Sequence, residues 1–194
     1  NYNIAIGYDS LQQNTTGAGN IAVGHDAGKL STTANNNTSI GYNSNSGRTA
    51  GNDNTSVGAY CMNATATGSN NTGVGKSALH DLTTGTNNVA MGLNAGFAIT
   101  TGYNNTVVGY SALSGLTTGF ANSCFGYSAG GSISTGLNNI CIGRNAGESG
   151  SPSGTISTAN DRIVIGDNNI THSYIKVDWT VTSDRRDKTD IEPF

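Results

Sequence analysis

Charge is scarce in this chain: Asp, Glu, Lys and Arg together make up 11% of 194 residues, against about 25% in ordinary soluble domains. Proline is scarcer still, with 2 residues. Disordered chains are rich in both, so low charge here does not signal disorder. No segment carries apolar residues at the i, i+3, i+4, i+7 spacing of an amphipathic helix, and no apolar run is long enough to cross a bilayer as a helix. A net charge of −3 without a basic patch argues against nucleic acid as a partner. Cysteine is limited to 3 residues, an odd number without metal-type spacing, which makes no disulfide framework. His25, His80 and His172 share no spacing that suits a metal, and no cofactor motif is present.

What is abundant is Asn, Thr, Ser and Gly, a composition of short strands and tight turns. Glycine recurs at Gly7, Gly24, Gly41, Gly58, Gly75, Gly92, Gly109, Gly126 and Gly143, each 17 residues after the last. A further copy ends at Gly166, displaced by six residues in the Ser/Gly/Pro stretch around Pro152. The residue before the glycine is large and apolar (Ile6, Val23, Ile40, Met91, Phe125, Ile142), and a small one precedes it (Ala5, Ala22, Ser39, Ser56, Gly73, Ala90). Three before the glycine stands a β-branched residue in most copies, and four before it Asn, from Asn3 and Asn20 to Asn139. Period-2 alternation reads as a short strand with one face in a core, and stacked Asn side chains can form an amide ladder.

After the glycine come an alanine column (Ala27, Ala78, Ala95, Ala112, Ala129, Ala146) and a Thr-Thr-Gly corner, as at Thr84–Gly85 and Thr118–Gly119. Each unit therefore reads as strand, corner, second short strand and Thr-Gly corner. Seventeen residues are too few for the common helical repeats and suffice for one coil of a narrow solenoid. The expected fold is an all-β parallel β-roll or β-solenoid of about ten coils over residues 1–168, with an insertion near 148–160. So thin a rod needs a second packing surface. The small-residue column is the candidate, facing another chain in a homotrimer.

The unit from Asn105 to Leu113 (Asn-Thr-Val-Val-Gly-Tyr-Ser-Ala-Leu) resembles the head repeat of YadA-like trimeric adhesins, and more closely the repeats of phage tail fibres. The resemblance implies a trimeric left-handed β-roll presenting a surface for attachment to a host glycan or protein, alongside other fibre or tail proteins. The implied location is a virion tail fibre or cell surface. The departures are the insertion near Pro152 and the missing Thr-Gly at Thr33–Ala34.

A second resemblance lies at the C-terminal end. Thr182-Ser183-Asp184-Arg185-Arg186-Asp187-Lys188 is similar to the opening of the intramolecular chaperone of endosialidases and phage tail fibres, with Asp187 where that family carries an apolar residue. The resemblance implies autocleavage between Thr182 and Ser183 in a longer precursor, Ser183 as nucleophile and Lys188 as base. A desolvated lysine can be neutral and take the hydroxyl proton. Residues 183–194 would be the truncated start of that module, and 169–182, with Trp179, a neck strand. The chain, which starts at Asn1, reads as a piece of a longer protein.

One column holds surface candidates. The residue after the glycine is Tyr8, His25, Tyr42, Lys76, Tyr110, Tyr127 or Arg144. Tyr8, Tyr42, Tyr110 and Tyr127 could stack on sugar rings; the simpler reading is that they shield the coil corner. Cys124 and Cys141, in adjacent coils, read as small buried side chains rather than a bridge. A glycan-degrading tailspike would need paired carboxylates in a groove, and acidic residues are too scattered to nominate a pair. The function expected is therefore structural and adhesive, with a bacterial trimeric adhesin as the alternative and no enzyme apart from the cis cleavage.

Overall fold

The computed structural model describes residues 2–172. They form strands and turns, with no helix among them. The strands are β1 (Ile4–Ile6), β2 (Ile21–Val23), β3 (Thr38–Ile40), β4 (Thr55–Val57), β5 (Thr72–Val74), β6 (Val89–Met91), β7 (Thr106–Val108), β8 (Ser123–Phe125), β9 (Ile140–Ile142) and β10 (Ile163–Ile165). They make one parallel sheet in strict chain order. Each strand pairs one repeat further on, as in Val89↔Thr106, so the chain advances by one coil per 17 residues. The six extra residues before β10 leave this pairing intact, with Ile163 opposite Ile140. The fold is a β-solenoid, as the repeat predicts.

Its faces are reversed from the expectation. The middle, small residue of each strand from β2 to β10 is buried inside the coil, and its large neighbours point outward. Ile6 is 61% exposed, Met91 44%, Phe125 39% and Ile165 53%. The reason is width. A 17-residue coil leaves so little interior that alanine, serine, cysteine or valine fills the sheet side, facing the buried alanine column of the opposite wall. The expectation that the small column meets another chain is therefore corrected: it is the core, and the large apolar residues are outside.

The expected second strand is also absent among the described residues. The arc after the corner glycine alternates left- and right-handed backbone, with positive φ at Ser77 (56°) and Leu79 (51°) in one coil and at Ser111 and Leu113 (both 49°) in another. Successive N–H groups there bond alternately within the coil and to the next one: Leu113 N–H donates to Ala129 O at 2.9 Å, and Leu116 N–H to Leu113 O at 3.4 Å. The arc thus satisfies its backbone without an extended strand.

From Cys61 onward the interior is apolar, and from Leu79 to Ile133 it has a two-coil rhythm. Leu79 with Leu82 fills one coil, Gly96 with Ile99 the next, then Leu113 with Leu116, then Gly130 with Ile133. A methyl group placed on Gly96 would lie 3.1 Å from Leu79 Cδ2, and one on Gly130 would lie 3.3 Å from Leu113 Cδ1. Each leucine leans over the glycine of the following coil.

The coil of Ser39, Ser44 and Asn45 has a polar interior, and Arg48 is fully buried in it. Its Nε donates to Asn45 Oδ1 at 2.7 Å, Nη1 donates to Gly68 O, and Nη2 lies 3.8 Å from Met62 Sδ. Among the described residues no carboxylate pairs with it, and burial pushes its pKa down to about 10. Replacing a buried ion with apolar groups of similar volume stabilises many proteins, by about 1–4 kcal/mol. The combined change Ser39→Ala, Asn45→Ala and Arg48→Leu makes this coil apolar without setting a second large side chain against Met62, and should raise the denaturation midpoint. A lower midpoint would show that the polar plug contributes net stability.

Amide and hydroxyl ladders run the length of the stack. Asn20 to Asn139 are at most 2% exposed. Asn105 N–H and Nδ2 both donate to Asn88 Oδ1, at 3.1 and 3.0 Å, while Asn105 Nδ2 also donates to Gly119 O at 3.1 Å. At the Thr corner, Thr83, Thr100 and Thr117 each donate Oγ1 to the carbonyl one coil on, at 3.1 Å.

Candidate interaction surface

The sheet carries the largest unusual feature of the exterior. Its outward columns are Ile4, Ile21, Thr38, Thr55, Thr72, Val89, Thr106, Ser123, Ile140 and Ile163, and Ile6, Val23, Ile40, Val57, Val74, Met91, Val108, Phe125, Ile142 and Ile165. Not one is charged. Ten strands at ~4.8 Å spacing make a stripe ~43 Å long, two side chains wide. The second column is apolar throughout and the first mixes aliphatic residues with Thr and Ser; so long an uncharged, largely apolar surface marks an interaction site.

Aromatic stacks border it. On the flank that follows the strands, Tyr8 stacks on His25 at 5.1 Å and His25 on Tyr42 at 5.2 Å. Further along the same flank Tyr110 and Tyr127 stack at 5.1 Å with planes 5° apart. The four candidate tyrosines are thus exposed residues of two stacks, whose facing ring surfaces are taken up by neighbours in adjacent coils. Within each stack the paired ring faces are closed to a sugar, while Tyr8, at the end of its stack, is 70% exposed.

Two further stacks escaped the sequence reading: Tyr103 on Phe120 at 4.7 Å and His80 on Phe97 at 4.8 Å. Their signal was present, since both pairs are separated by one 17-residue step. The Tyr103 stack lies on the flank that precedes the strands.

Charge on this surface is local and mostly paired. Lys29 Nζ sits 3.0 Å from both Asp9 and Asp26, which hold its pKa above the ordinary lysine value, Asp26 more strongly. At the far end Arg144 Nη2 meets Asp167 at 3.1 Å. The Asp167 carboxyl lies below the ordinary range because it accepts from Asn169 N–H, then from the Asn169 side chain and from Arg144. A depressed carboxyl contributes stability that is present above its unfolded value and lost as pH falls through its folded value. An acid titration followed by NMR should therefore move the Asn169 amide with a midpoint below ~3.9, the value of a free aspartate. A midpoint at or above it would remove the anchoring role.

The three cysteines are buried and unbridged. The Cys124 thiol, hydrogen-bonded to Cys141 and buried, stays protonated far above the ordinary thiol range, as befits packing groups. Among the described residues no group of three or more His, Cys, Asp or Glu could hold a metal, and no helix is long and apolar enough to cross a membrane. Ser183, Lys188 and the neck strand, except its first residues 169–172, lie outside the described residues. Comparison with family models, curated proteins and solved structures finds no match to the chain.

Proposed function

We propose that this chain is a structural and adhesive segment of a homotrimeric fibre, of the kind that forms the distal part of a phage tail fibre, with its apolar sheet turned to the threefold axis. The observation that carries this reading is the uncharged stripe along all ten strands. Left in water it would cost ~25 cal/mol for each Å² of apolar surface not buried. A stripe only two side chains wide suits closure by three copies: each sheet then covers part of two others, and the small residues stay in each chain's own core. The repeat supplies length and rigidity; the resemblance at Ser183 adds removal of a C-terminal chaperone as the maturation step.

Light scattering on the purified chain should give three copies, and Met91→Glu with Val108→Glu should reduce it to monomer or aggregate. The pair would place six carboxylates at the axis, where like charges in a poorly hydrated seam repel strongly. A wild-type monomer would sink the trimeric reading. Adhesion is tested separately, by binding of the soluble trimer to a glycan array and to host cell surfaces. Absence of binding to both would leave a spacer.

A further inference from the structure

We propose that neighbouring copies in this trimer lock along an aromatic seam at β7 and β8, with Tyr110 and Tyr127 of one copy against Tyr103 and Phe120 of the next. This rests on the trimeric reading, and it adds which surfaces meet and in what register.

Three parallel sheets around an axis that runs along the stack have strands circulating in one sense. The end of each strand therefore points to the start of the corresponding strand in the next copy. Such a heterologous contact closes into a ring, so the flank after the strands always meets the flank before them.

Those flanks match. On the first, Tyr110 is 46% and Tyr127 52% exposed; on the second, Tyr103 is 40% exposed and Phe120 half-buried. Both stacks occupy the same two coils, on opposite sides of strands only three residues long. In the coils of His25 and Tyr42 the opposite flank holds Ala18 and Asn35 instead, and at the first coil a single ring, Tyr2, stands there, followed in the next coil by Gly19 rather than a second ring. Aromatic side chains that meet edge to face gain beyond their buried area.

Closure also fixes height. A ring about a threefold axis returns to its starting level, so residues of the same coil meet: Tyr110 with Tyr103, and Tyr127 with Phe120. A one-coil offset would bring Tyr110 to Phe120 instead.

The test compares two double variants under copper–phenanthroline oxidation, read on a non-reducing denaturing gel with light scattering before oxidation. Tyr103→Cys with Tyr110→Cys should convert most of the trimer to a covalent trimer. Tyr110→Cys with Phe120→Cys, the single variants and the wild type with its buried thiols should not. Trimers that cross-link only through the offset pair, or through neither, overturn the seam and leave the trimer standing; monomers overturn both. In case a cysteine pair disturbs assembly, photo-oxidation of a mixture of isotopically light and heavy wild-type chains, assembled together, should give inter-chain dityrosine between Tyr103 and Tyr110. Its absence from a confirmed trimer overturns the seam equally.

Discussion

Asn88→Asp is expected to destabilise the solenoid by about 3–5 kcal/mol, comparable to breaking a buried charged pair. Asn88 is fully buried in the middle of the amide ladder. Its Nδ2 donates to Asn71 Oδ1 at 3.1 Å and to Gly102 O at 2.9 Å, while its Oδ1 accepts two bonds from Asn105. A carboxylate keeps the accepting side and turns its second oxygen on two other oxygens. If protonated, it has one hydrogen for two acceptors. The folded state therefore raises the new carboxyl's pKa. Stability of the variant should be greatest in acid and fall as pH climbs through the unfolded and then the folded value. Urea midpoints measured from pH 4 to 8 check both size and slope. Equal loss at all pH values would mean that the ladder tolerates a charge. Asn3, half-buried at the first coil, should tolerate the same change far better.

Gly109→Ala should cost a similar amount, about 3–5 kcal/mol, for a different reason. Gly109 has φ +139°, a conformation L side chains rarely adopt, and a Cβ there would stand 2.6 Å from the carbonyl carbon of Gly126 and closer still to its oxygen. Both obstacles are backbone, so no rotamer change relieves them. Gly150→Ala is the internal control, since a Cβ there meets nothing within 4 Å. Denaturation of the two variants side by side should separate them clearly; equal, small losses would mean that the corner can be re-formed without glycine.

Strand positions, coil length and the amide ladder were legible because each is a column at a fixed 17-residue step. The inside of the coil was not. Alternation separates two faces, but both are apolar in Ile21-Ala22-Val23 or Ile140-Cys141-Ile142, and the larger side chains suggest a core. Only the small girth of the closed coil reverses that choice. The arc was misread because the alanine column between two corners suggested a second strand, although Asp, Asn and Ser two places after the glycine signalled left-handed backbone. Arg48 stayed hidden for a related reason: a lone arginine in a polar stretch reads as solvated, and only three-dimensional closure puts it inside. The surface candidates were half-visible. Tyr110 and Tyr127 stand in the column that follows the corner glycine, whereas Tyr103 and Phe120 stand in a column otherwise filled mostly by small and polar residues such as Ala18, Asn35 and Asn52.

The leucine-over-glycine rhythm has a consequence for how such a rod changes length in evolution or by design. Excising 17 residues from Leu93 to Gly109 would preserve every backbone pairing yet set the Leu113 coil directly on the Leu79 coil, crowding two large side chains where one belongs. Excising 34 residues, from Leu93 to Gly126, would restore a glycine above Leu79. Between Leu79 and Gly130, deletions should therefore be accepted in steps of two coils, roughly 10 Å of stack at a time, whereas the flexible Met62 already sits one coil before Leu79.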